Sequence, residues 1–119
     1  MAYALSFTER KEPPMTYNGW TNYETWAVHL WLTNEEGSYR HCRELAREAR
    51  ESAPTCRQVC QGVWQPDEAS KFLLSDRLKE SVEEMNPLAD QPSLFSDLVT
   101  AALSEVDWHE VAQAFLDDL

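Results

Sequence analysis

At 119 residues, 43% hydrophobic and with a formal net charge of −11, the chain is long enough to bury a core in one domain and too acidic to attract a phosphate backbone. Direct nucleic-acid binding is disfavoured, and apolar runs such as Phe72 to Leu74 fall far short of a membrane span. Three glycines leave no phosphate-cradling loop and little material for a turn-rich sheet, so the expected fold is all-α.

Residues 1–16 mix both charges around Glu12, Pro13 and Pro14 without periodicity and read as a flexible arm ahead of a helical domain at 17–119. Asn18 and Gly19 supply a turn. Thr21 followed by Glu24 has the spacing of a capping box, predicting a helix over 22–34. Its expected buried stripe is Tyr23, Trp26, Ala27, Leu30 and Trp31, with Val28 and Leu32 widening it, so Trp26 and Trp31 should both be covered. Gly37 is placed to end that helix in the left-handed conformation, and Ser38 to start the next, over 38–52. Tyr39, Cys42, Leu45, Ala46 and Ala49 line one face of this second helix, and its arginines and glutamates occupy the other. Pro54 closes it, and a short helical turn ends at Gly62.

A longer helix is predicted over 66–85, with Pro66 in its first turn and Ala69, Leu73 or Leu74, Leu78, Val82 and Met85 as its stripe. Ser93 caps a helix reaching Ser104 that carries Leu94, Leu98, Ala101 and Ala102 beside Phe95, Val99 and Leu103. The last helix has the fullest start signal, with Asp107 as cap, Glu110 three residues on, and Val106 placed to meet Val111. Trp108, Val111, Ala112, Phe115, Leu116 and Leu119 form its stripe. The sum is a single-domain bundle of about five helices plus one short turn.

Charge is distributed unevenly along the chain. Residues 38–64 hold five arginines against three acids, whereas 86–119 hold seven acids and neither lysine nor arginine. An acidic face of Glu80, Glu83, Glu84, Asp97, Glu105, Glu110, Asp117 and Asp118 would suit a basic partner surface, including a groove that normally holds nucleic acid. The plainer reading is that these carboxylates keep the protein soluble and that Asp107 and Glu110 serve as caps.

Other chemistry finds less in the sequence. His41, Cys42, Cys56 and Cys60 lack the close paired spacing of structural zinc ligands, and Cys42 sits on an apolar stripe. An odd number of cysteines fits reduced thiols better than a disulfide framework. His29, His41 and His109 are scattered, with no nucleophile elbow and no carboxylate dyad, so no enzyme, cofactor or metal is expected. The aromatic stretch has no cation between Lys11 and Arg40, so it reads as core in preference to a stacking platform. No basic segment leads into a long apolar one near the start, so a secretory signal is not expected and a cytoplasmic location is the default.

"NGWTNYETWAVHLWLTNEEGSY" at 18–39 resembles the signature of a family of small uncharacterised proteins from phages, plasmids and bacterial genomes, with the pattern N-G-W-T-N-Y-E-T-W followed by N-x-x-G. "VDWHEVAQAFL" at 106–116 is similar to their closing helix, of the form N-W-x-E-I-A; Asp107 replaces the more usual asparagine, and both residues can cap. The resemblance implies a setting and no reaction. Mobile elements deploy small acidic proteins against host defence, so the expected function is inhibition of a CRISPR effector or restriction enzyme by an anti-CRISPR or anti-restriction DNA mimic. The alternative is a non-catalytic interaction module, homodimeric through an exposed apolar patch, whose acidity serves only solubility.

Overall fold

A computed structural model describes residues 16–119, so the predicted arm, residue 16 apart, lies outside the described residues. The elements are α1 (Tyr23–Asn34), α2 (Glu36–Ser52), a 3-10 turn (Ala53–Thr55), the single-turn α3 (Arg57–Cys60), α4 (Pro66–Met85), α5 (Leu94–Ser104) and α6 (Trp108–Asp117). Five longer helices and a short turn thus form an all-α bundle, and among the described residues the only β pairing is an isolated bridge from Tyr17 to Trp20. Asn18 and Gly19 both take positive φ inside that bridge, the conformation a two-residue hairpin turn demands.

Helices α2, α4 and α6 pack on one another, and α1 lies against α2 and α6. Their contact faces are rich in alanine, with Ala46, Ala49, Ala69 and Ala112 all buried, which lets the backbones approach closely around Phe115, Leu74 and Leu78. The stripes predicted for α2 and α6 are found as expected: Cys42, Ala46 and Ala49 are buried on α2, and Val111, Ala112, Phe115 and Leu116 on α6. The outer side of α2 carries Arg40–Glu36 and Arg47–Glu44 ion pairs, and Glu48 reaches Arg77 on α4. Such exposed pairs contribute little to stability. On α4 the stripe holds through Val82, which packs on the core, but Met85 at its end is exposed.

Helix α1 is turned about its axis relative to the predicted orientation. Its buried residues are Thr25 and Leu32, with Val28 packed beside them, while Trp26 is half-buried and Trp31 is 71% exposed. Apolar side chains occur all round this helix, so helical spacing alone cannot choose which side faces inward. Tyr17, Tyr23 and Trp26 instead form a peripheral aromatic cluster with ring centroids 4.8–5.5 Å apart. Substituting Trp31 by serine is therefore expected to change unfolding free energy by under about 1 kcal/mol, readable as an unmoved urea midpoint.

Helix α1 ends at Asn34 as predicted, but the junction that follows differs from expectation. Glu35, in extended conformation, both ends α1 and caps α2 by accepting the Ser38 amide, so Gly37 lies inside α2 and Ser38 does not start it. The Ser38 hydroxyl turns back to the Leu32 and Glu35 carbonyls. A carboxylate at the cap satisfies the open amides directly, and no left-handed residue is needed.

Candidate functional site

The starts of α1 and α6 are joined in one hydrogen-bond network. Asn22, not Thr21, caps α1: its Oδ1 accepts the Thr25 amide at 2.9 Å and the Thr25 hydroxyl at 2.6 Å. Its Nδ2 donates to the Glu105 carbonyl at 2.7 Å. The same Thr25 hydroxyl oxygen accepts the Asp107 amide at 2.9 Å. Asp107 in turn caps α6 through the Glu110 amide, and the Glu110 carboxylate accepts the Thr21 amide at 3.0 Å. Neither predicted capping box closes within its own helix, because the Thr21 amide finds its acceptor on α6 and the Asp107 amide finds its acceptor on α1. The two stretches that carry the family resemblance are thus bonded to each other.

A second polar cluster closes the far end of α6. Asp118 accepts hydrogen bonds from the Tyr39 hydroxyl at 2.5 Å and from Arg43 at 2.8 Å. The Tyr39 hydroxyl, assisted by Arg43, holds the Asp118 carboxyl below its ordinary range. Tyr39 and Asp118 border an open hollow of about 400 Å³ with His29, Thr33 and Phe115. The His29 ring lies between Trp20 and Phe115, with centroids 4.6 and 5.2 Å away, as a structural histidine of the packing. Cys42, His41 and Cys60 lie in separate surroundings. Cys42 is in the core, where burial pushes its thiol up to about 11; His41 is exposed and meets Ser81; Cys60 faces the Pro54 carbonyl. Among the described residues no three His, Cys, Asp or Glu side chains are grouped as a metal would require.

The eight carboxylates assigned to an acidic face occupy different settings. Glu80, Glu83 and Glu84 on α4, Asp97 on α5 and Glu105 just after it are exposed. Glu110 is bound to the Thr21 amide, Asp117 accepts from Gln113, and Asp118 is paired with Arg43. Glu83, Asp118 and Asp117 each border a different hollow.

Helix α5 forms as predicted over Leu94–Ser104 behind its Ser93 cap, but it is little covered. It buries no residue, and Leu103 is the side chain through which it packs on the core. Leu94, Phe95 and Leu98 are 67%, 66% and 58% exposed, and Ala101 and Ala102 beside them are also exposed. A further apolar hollow of about 200 Å³ lies between α1 and α4, lined by Ala27, Val28, Trp31, Leu32, Val82 and Met85.

A family model described as a family of unknown function, DUF7249, matches residues 14–112, which include the whole of the α1 to α5 assembly and the start of α6. The chain belongs to the DUF7249 family. No curated protein and no solved structure matches it. In this DUF7249 chain, no helix among the described residues is long and apolar enough to cross a membrane.

The exposed face of α5 could have been suspected from sequence. Leu94, Phe95, Leu98, Val99, Ala101, Ala102 and Leu103 cover more than half the circumference of a three-turn helix, more than one neighbour can bury.

His29 supplies a pH prediction. Burial lowers its pKa from 6.5, partly offset by the Asp118 charge, so folding favours the neutral ring. The unfolded chain binds a proton near pH 6.5 that the folded chain binds only at lower pH, so this contribution is complete above 6.5 and is lost as pH falls from there through the lower pKa of the folded state. The urea midpoint should decline from pH 7 toward pH 5, and a His29→Gln variant should show a shallower decline. Equal slopes would refute the assignment.

Proposed function

We propose that this chain is a non-catalytic protein-binding module and that the apolar face of α5 is its binding surface. The observation that carries this reading is the exposure of Leu94, Phe95 and Leu98 together on one helix face. Single exposed leucines are ordinary, but three large apolar side chains side by side on an otherwise detached helix mark a contact surface. An isolated helix of eleven residues is marginal in water, and a partner covering this face would stabilise it. The test is a Leu94→Gln/Leu98→Gln double variant unfolded in dilute solution. Stability should stay within about 1 kcal/mol of the parent, because side chains reserved for a partner do not hold the core. A loss of several kcal/mol would assign them to the fold and end this reading.

A second reading, inhibition of a CRISPR effector or restriction enzyme, is favoured by the charge pattern. Glu80, Glu83, Glu84, Asp97 and Glu105 are exposed, and no lysine or arginine occurs from residue 80 to 119. The resemblance to proteins of phages and plasmids supplies the setting. In this reading the carboxylates compete with nucleic acid for a basic groove, so binding to a purified effector should weaken steeply with salt and be abolished by reversing Glu80, Glu83 and Glu84 to lysine. Salt-insensitive binding would exclude it, leaving the acids to solubility alone.

A further inference from the structure

The exposed face of α5 is graded in size. At 100° per residue, Leu94, Phe95, Leu98, Ala101 and Ala102 fall within an arc of about 120°. The large side chains stand at its N-terminal end, the two alanines at its C-terminal end, and Leu98 midway. We propose that this face binds the same face of a second copy of the chain, in an antiparallel two-fold pair centred on Leu98. The proposal rests on the reading of α5 as a binding surface and names its occupant.

Reversal is what makes the face complementary to itself. In an antiparallel pair centred on Leu98, residues equally far before and after it are opposed: Leu94 meets Ala102, Phe95 meets Ala101, and Leu98 meets its own mate. Large side chains then fill the space left by small ones, which is how facing helices reach close-packed separation. A parallel pairing would set large against large at one end and leave a gap at the other.

Charge is compatible with this arrangement, and area sets its strength. Asp97 is the sole charged residue on α5, and it lies about 100° from the centre of the arc, so pairing buries no carboxylate. The face offers on the order of 400 Å² per copy, or about 800 Å² for the pair, below the roughly 1,200 Å² at which stable specific interfaces begin, so the dimer should be weak and reversible. A cationic partner would find no acid at the centre of this face to recognise.

Sedimentation equilibrium of the full chain tests the pairing. A dimer is expected that strengthens with added salt, because screening relieves repulsion between two chains of charge −11 while leaving apolar contact intact. Leu98→Glu and Leu98→Lys should each weaken dimerisation at least about tenfold, since either places like charges together on the two-fold axis. Mixing the two variants should restore a dimer, an outcome that requires residue 98 to meet residue 98. A monomer at every concentration would overturn the proposal and leave the face to residues 1–15 or to a different protein, with the module reading intact. A dimer unaffected at residue 98, or a mixture no better than its components, would overturn it as well.

Discussion

Replacing Phe115 by alanine is expected to cost about 4 kcal/mol, the largest loss from any single side chain in this fold. Phe115 is 1% exposed and is the largest fully buried side chain. Its ring lies against His29 of α1 and Tyr39 of α2 and sits in the core cluster with Leu74 and Leu78 of α4, so one truncation opens space among four helices. Domains of this size are stable by roughly 5–15 kcal/mol, so a large fraction of the total would go. Urea unfolding should show a lower midpoint with an unchanged slope, and Phe115→Leu should lose less than half as much. A loss under about 1 kcal/mol would mean that Phe115 is not the centre of the core.

Thr25→Val is expected to cost about 2 kcal/mol although the two side chains have nearly the same shape. The Thr25 hydroxyl is fully buried, donates to Asn22 and accepts the Asp107 amide. Valine keeps the packing but deprives that amide of its acceptor where α1 meets α6, and an unsatisfied buried donor bears its full desolvation penalty. Thr25→Ser, which retains the hydroxyl and loses a methyl, should cost less. Hydrogen exchange gives an independent readout, since the Asp107 amide should lose protection in the valine variant and keep it in the serine variant. If valine proves no worse than serine, the junction is held by packing and not by this hydroxyl.

The extent to which the site was legible follows from the same residues. Asp107 and Glu110 have capping chemistry that sequence spacing detects, and α6 indeed starts at the predicted cap, whereas spacing points to Thr21 and Glu24 at the start of α1 and the cap there is Asn22. Spacing reports only local pairs, however, and the acceptor for the Asp107 amide is 82 residues away. The acidic residues show the same limit. Their number is plain from composition, but whether a carboxylate is free or, like Asp118, held by Tyr39 and Arg43 depends on elements distant in the chain.

Helix content and most helix boundaries were determined by the sequence itself, because caps, prolines and the 3.6-residue period act over a few neighbouring residues. The predicted faces of α2 and α6 were also found, since each presents one apolar side and one polar side. Where apolar residues encircle a helix, local pattern leaves its rotation open. Packing alone decided that α1 buries Thr25 and Leu32 and leaves Trp31 in solvent, and that α5 keeps Leu94, Phe95 and Leu98 uncovered. Burial is a contest among all apolar faces for a limited interior, and its outcome depends on which helices meet.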